Sequence, residues 1–209
     1  MSEIVERKIA VEFEENRKYR YSWSISYESD SSLPHDLLVI MMNPSKADES
    51  GPDRTIKKIM DWNKDKRLCE NSSYKSIIIM NISPLVETDS KKALNVFIKN
   101  EIPCDILKGN LSKLACEISE VKNIIIAWGI IGDKIFREVL EKYPNNEQVK
   151  CLVSALKEKV SARYVKCLEM NETTTTFRHP RRAWEDDKKE NFIKTVEQED
   201  FPALYGDQK

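Results

Sequence analysis

LLVIMMNPSKAD, residues 37–48, is a run of six apolar residues broken off at an Asn-Pro step. A continuous apolar run of this length, rich in branched side chains and followed by turn residues, reads as a strand covered on both faces, the habit of a parallel sheet. Proline fixes the direction in which the chain leaves the strand and biases Asn43 toward an extended backbone. The pattern recurs in SIIIMNISP at 76–84 and in NIIIAWG at 123–129. Apolar runs that end abruptly in polar or small residues deliver those residues to one rim of a sheet, which is where open α/β folds bind ligands.

Outward from these runs the chain alternates strand and helix signals. Residues 18–28, KYRYSWSISYE, alternate aromatic and polar side chains and predict a strand with one covered face. Asp53 is placed to cap a helix carrying Ile56, Ile59, Met60 and Asn63 at helical spacing, and Asp89 one carrying Ala93, Leu94 and Phe97. Further helices are expected over 105–119, over 132–142 before Pro144, and over 149–159. Tyr164 to Leu168 predicts a fourth core strand, leading through a Thr-rich turn to FRHP at 177–180, and the charged 186–199 segment predicts a surface helix. Strands separated by helices imply parallel neighbours and right-handed crossovers. The expected fold is a three-layer α/β/α sandwich around a central, mainly parallel sheet.

With 209 residues, 40% of them hydrophobic and 33% charged, the chain is long enough for one complete core and short for two, so one domain over 1–209 is expected. No apolar stretch approaches the roughly 20 residues that span a bilayer, and the opening MSEIVERKIAVEFEEN is charged rather than signal-like. A cytoplasmic protein without a membrane partner is the expectation. The cysteines, Cys69, Cys104, Cys116, Cys151 and Cys167, are odd in number, far apart and without a CxxC pair. Reduced thiols are therefore expected, with neither a disulfide framework nor a zinc site. A net charge of −1 offers no global attraction to polyanions, so nucleic acid has to be met by a local patch. The candidate is Arg178-His179-Pro180-Arg181-Arg182; the same arginines are also placed to pair with Glu185, Asp186 and Asp187 just downstream.

Each rim residue has a chemical and a structural reading. The Asn43 amide is able to hold a water or a substrate polar group, or else to bond the next turn, as Asn-Pro steps do. Asn81 repeats the arrangement on the next strand, and an amide carries both the donor and the acceptor that reading a pyrimidine edge requires. His179 is one of two histidines, the other being His35. Beside Pro180 and the arginines its imidazole either donates a hydrogen bond to an anion developing on a leaving group or is a plain surface residue. Trp128 packs or stacks, and Gly129 permits close backbone approach. Asp48 is a further carboxylate near the first rim, a general base in place of Asn43 or a turn and helix cap.

Together YRYSW (19–23), MMNPSKADES (41–50) with the following Asp53-Arg54-Thr55, the strand ending at Asn81, AWG (127–129) and RHP (178–180) resemble the DUF1643 family of small bacterial and phage proteins. The function of that family is not established. The resemblance covers most of residues 19–182, and NPSxAD is its most telling piece. More remotely, the same order is similar to the uracil-DNA glycosylase superfamily. There a first strand ends in a Gly-Asp-Pro or Gly-Asn-Pro type motif, a second in Asn, a third carries Trp-Gly and a late loop carries His-Pro.

That likeness implies a uracil-DNA glycosylase-like fold and puts Asn43 where the superfamily orients the hydrolytic water. It puts Asn81 where the pyrimidine edge is recognised and His179 where the departing base is stabilised as an anion. Pro44, Ser45, Trp128 and Gly129 then belong to the base-binding surface, and Ser45, Arg181 and Arg182 hold phosphates. A nucleotide would be flipped from the helix and its glycosidic bond hydrolysed. Water suffices for this reaction, so no cofactor and no metal is expected. The sequence departs from the superfamily in having no phenylalanine between the first patch and its helix, where the base is commonly stacked. It also has RRAW after His179-Pro180 in place of the small and apolar wedge residues, which leaves Trp184 to substitute or no wedge at all. The alternatives to a DNA glycosylase are a non-catalytic binder of a free nucleotide or nucleotide signal, and a protein-interaction module.

Overall fold

The alternation of apolar runs with amphipathic segments produces one mixed seven-stranded sheet flanked by helices in the computed structural model, which describes residues 5–28, 36–69, 72–168, 177, 179–180 and 193–205. In chain order the elements are β1 (Val5–Glu14), β2 (Tyr19–Glu28), β3 (Leu37–Met41), α1 (Arg54–Lys64), β4 (Ser76–Asn81), α2 (Ser90–Ile98) and α3 (Cys104–Glu120). There follow β5 (Asn123–Ile126), α4 (Gly129–Lys142), α5 (Glu147–Ser161), β6 (Val165–Leu168), β7 (Ile193–Thr195), a 3-10 turn (Gln198–Asp200) and α6 (Pro202–Tyr205).

The sheet order is β1-β2-β4-β3-β5-β6-β7. The apolar runs β4, β3, β5 and β6 are mutually parallel, as their two-sided burial requires. The sheet as a whole is nevertheless not mainly parallel, which corrects the expectation from sequence. Antiparallel strands are added at both sides, β2 and β1 beyond β4 and β7 beyond β6. Antiparallel addition needs no crossover helix, so partly polar strands extend the sheet where the βα alternation stops, β1 and β2 through a short turn. The N-terminal strand follows from the alternation of Ile9, Val11 and Phe13 with Lys8, Ala10, Glu12 and Glu14, a period-2 signal that the charge of this segment obscures.

The C-terminal segment is a second correction. Within 186–199, residues 186–192 lie outside the described residues, and Ile193–Thr195 is a strand paired antiparallel with β6, not part of a helix. Leu168 in β6 faces Ile193 across this ladder, so pairing with an open sheet edge prevails over the local charge pattern.

Across the sheet the step from β3 to β4 runs opposite to the step from β5 to β6. Right-handed crossovers then send α1 to one face and the later helices to the other. The apolar clusters follow that division. Leu38 and Ile40 of β3 pack with Leu111 and Leu114 of α3, Phe136 of α4 and Leu152 of α5. Leu37, Val39 and Met41 of the same strand pack with Ile77 and Ile79 of β4 and Ile56, Ile59 and Trp62 of α1. The expected caps are in place: the Asp53 carboxylate accepts from the Thr55 and Ile56 amides, and that of Asp89 from Lys91 and Lys92.

Candidate functional site

Because four strands run parallel, the residues that follow them share one rim. Backbone pairing continues past the strands there: Ile82 N donates to Met41 O at 3.0 Å, Ser83 N to Met42 O at 2.9 Å, and Ala127 N to Ile40 O at 2.9 Å. The ends of β4, β3 and β5 therefore lie side by side and bring Asn81, Asn43 and the Trp128-Gly129 pair to this edge. The direction of strand order reverses at β3, so this is also the switch point where a crevice opens in such sheets.

Asn43 is half-buried, and its amide nitrogen donates to the carbonyl oxygens of Pro44 and Glu87. The Glu87 amide in turn donates to Pro44 O, so the loops after β3 and β4 are tied together. With both N–H groups directed at carbonyls, the amide orientation is determined, and among the described residues no donor is bonded to Asn43 Oδ1. Pro44 is buried at this junction.

Asn81 is fully buried, and among the described residues neither its amide nitrogen nor its amide oxygen has a partner. Strand alternation places it opposite Met41, on the α1 side of the sheet. Its backbone carbonyl is occupied from the other side, accepting from Asn110 Nδ2 of α3 at 2.9 Å. A wholly buried amide with both polar atoms unpaired is rare, because each unmet group costs about 1–3 kcal/mol.

His179 lies directly on Gly129. A Cβ added at Gly129 would stand 3.1 Å from His179 Cβ, and the backbone there has φ +70°, so glycine serves both the turn and the close approach. Trp128 turns the other way, into the core: its ring stacks on Phe136 with centroids 5.2 Å apart and meets Phe177 edge-on at 5.7 Å. Its indole N–H has no partner among the described residues. Gly132, one helical turn on, leaves room for this ring, since a Cβ there would fall 2.4 Å from Trp128 Cβ. Pro180 closes the α1-side core beside Val39, Ala127 and Leu168.

The loop from Pro44 to Asp53 folds back over the α1 side of the sheet and is held by β2. Arg20 Nη1 donates to Ala47 O at 2.9 Å and Trp23 Nε1 to Asp48 O at 3.2 Å. The YRYSW and NPSKAD segments are thus two halves of one contact. Ser45 gives its hydroxyl to the Asp53 carboxylate, which also caps α1. The Asp48 carboxylate accepts from the Ser50 hydroxyl and amide and faces Arg17, which together hold it below the usual carboxylate range. Arg17 forms a two-pronged ion pair with Glu49 at 3.2 and 2.5 Å on the surface.

Arg20 is the residue that sequence reasoning passed over. Its side chain is fully buried, burial pushes its guanidinium down to about 10, and the Asp53 carboxylate pulls the other way. It therefore stays charged at neutral pH. The available signal was a lone arginine inside an otherwise aromatic and serine strand, YRYSW. Against α1 lies a cavity of about 460 Å³ bordered by Arg54, Lys57, Lys58 and Arg67 together with Asp61, Trp62 and Asp65. Arg178, Arg181, Arg182, Trp184 and His35 lie outside the described residues. Among the described residues no three His, Cys, Asp or Glu side chains converge as a metal would require, and the cysteines are free thiols. No helix among them is long and apolar enough to cross a membrane.

The family model described as "Protein of unknown function (DUF1643)" matches residues 20–181, and the chain belongs to that family. No curated protein and no solved structure matches it at significant similarity.

Proposed function

We propose that the protein recognises a nucleobase at the rim formed by β4, β3 and β5, and that it hydrolyses the N-glycosidic bond of a damaged or modified base in DNA. On this reading the fold is a three-layer α/β/α sandwich of the uracil-DNA glycosylase type, with the added antiparallel strands as embellishments. The observation that carries the reading is Asn81, a buried amide at a strand end whose donor and acceptor are both unpaired among the described residues. A base edge presents the complementary pair.

The other residues then take roles their surroundings favour. Asn43, its N–H groups held by Pro44 and Glu87, turns Oδ1 to accept a hydrogen bond from water and directs that water at the sugar. His179, pressed on Gly129, donates a hydrogen bond to the base as it leaves with negative charge. The sugar passes through an oxocarbenium-like state and is captured by the oriented water. Ser45, and Arg181 and Arg182, which lie outside the described residues, are assigned to phosphates on this reading, and the cations bordering the α1 cavity offer further phosphate contacts.

A second reading, a non-catalytic binder of a free nucleotide, draws support from the enclosure of Asn81, which suits a small ligand in a closed pocket. The deciding experiment measures base release by mass spectrometry from oligonucleotides carrying uracil, hypoxanthine or modified pyrimidines, with wild type, Asn43→Ala and His179→Ala. Release by wild type that is lost in both variants supports the glycosylase. No release from single- or double-stranded substrates, with thermal stabilisation by one nucleotide, moves the function to the binder.

A further inference from the structure

We propose that Arg20 is the receptor for a phosphate group, seated beneath the loop of residues 44–53 on the α1 side of the sheet. The identity of the phosphate as part of a nucleotide rests on the reading above; the anion site itself does not.

The argument begins with the ladder between β2 and β4. It is regular up to Ser22 opposite Met80 and resumes with Tyr19 opposite Leu85. Between these pairs, Arg20 and Tyr21 of β2 face Asn81 and the three residues that follow β4, so the regular pairing opens beside Arg20 and Asn81, with Arg20 N donating to Pro84 O at 2.8 Å. The neighbouring β1–β2 ladder is also interrupted here, between Glu12 and Phe13, the kind of irregularity that re-aims side chains beside binding sites. Tyr19 and Tyr21 pack in the cluster of the later helices, which leaves Arg20 on the α1 side under the loop.

Among the described residues the guanidinium has one bond, from Nη1 to Ala47 O, while Nε and Nη2 are buried without a partner. Those two nitrogens form the side-on edge of the fork, whose parallel N–H groups match two oxygens of one oxyanion. Asp53 supports the charge from a distance and is itself committed to Ser45 and to the first turn of α1. A buried charge with its bidentate edge unfilled calls for an anion rather than a neutral ligand. The covering loop is held on its inner side by the Arg20 and Trp23 bonds to Ala47 O and Asp48 O, and on its outer side by the exposed Arg17–Glu49 pair, the class of contact that contributes least to stability. On this proposal the loop moves outward to admit the anion.

The test reads thermal stabilisation and binding of the full chain at constant ionic strength. The probes are inorganic phosphate, nucleoside monophosphates and the matching nucleosides, with chloride as control. Phosphate and the monophosphates are expected to stabilise wild type, and Arg20→Met and Arg20→Lys to bind them about tenfold or more weakly, since charge-assisted bidentate bonds are lost. Any stabilisation by the nucleoside alone should survive in Arg20→Met and be lost in Asn81→Leu, so the anion site and the nucleobase reading fail separately. Stabilisation by inorganic phosphate alone identifies a free-ion site and upholds the proposal. Absence of any phosphate effect in wild type, or equal effects in wild type and Arg20→Lys, overturns it and leaves Arg20 as a tether for the loop. Where Arg20→Met folds poorly, Arg20→Lys, which keeps the charge and removes the side-on edge, carries the comparison, with sulfate as the control for the general stabilising effect of such anions.

Discussion

His179 is packed against Gly129 so closely that a single methyl group on the glycine would stand 3.1 Å from His179 Cβ and 3.7 Å from its backbone nitrogen. The helix α4 starts at this glycine, so the loop carrying the RHP motif and the rim of β5 are positioned by one contact. Gly129→Ala combines that encounter with a left-handed backbone. It should cost about 1–2 kcal/mol from the backbone alone, measured by urea unfolding. It should also move the His179 ring resonance, which is readily assigned in a chain with two histidines. An unshifted resonance and unchanged stability would count against this packing.

The N-cap of α1 joins three features, since Asp53 accepts from Thr55, Ile56 and the Ser45 hydroxyl. Asp53→Ala should lose about 1 kcal/mol in thermal or urea denaturation for the cap alone. Because Asp53 also supports the charge of Arg20, its removal should cost less in an Arg20→Met background than in wild type. Strict additivity of the two substitutions would show that the carboxylate and the guanidinium do not sense one another.

Lys159 of α5 is buried, and its ammonium donates to Ser119 O at 3.0 Å and Val121 O at 2.7 Å, closing the C-terminal end of α3. Lys159→Met keeps the length of the stem and removes both charged bonds. A loss of about 1.5–3 kcal/mol is expected in equilibrium unfolding. Rim function should be unaffected, because this cap is at the end of the sheet where β5 begins.

Burial pushes the Cys167 thiol up to about 12. In the unfolded chain it ionises near its ordinary value, so the folded state holds this proton over the interval between the two. Its contribution to stability is full below about 9 and is lost as pH rises toward 12. The difference in stability between wild type and Cys167→Val, followed from pH 8 to alkaline values on the order of the shifted thiol, should shrink accordingly. At neutral pH an alkylating reagent should modify the exposed Cys104, Cys116 and Cys151 and spare Cys167 until the protein unfolds. Early labelling of Cys167 would contradict its burial.

Local information determined a good deal of this molecule. The runs at 37–41, 76–81 and 123–126 are strands because nothing but burial on both faces suits them, and Asp53 and Asp89 start helices because short carboxylates satisfy free amides. Parallel strands deliver their ends to one side, so Asn43, Asn81 and Gly129 could be grouped from sequence. Tertiary structure alone decided which edges the remaining strands join, and with it the mixed character of the sheet, because pairing partners far apart in sequence leave no periodic mark. It also decided that Trp128 turns into an aromatic cluster while Gly129 receives His179, and that Arg20 is buried beneath a loop more than twenty residues downstream. A charge is buried, and its fork left unfilled, only by what packs around it, and that surrounding belongs to no single stretch of the chain.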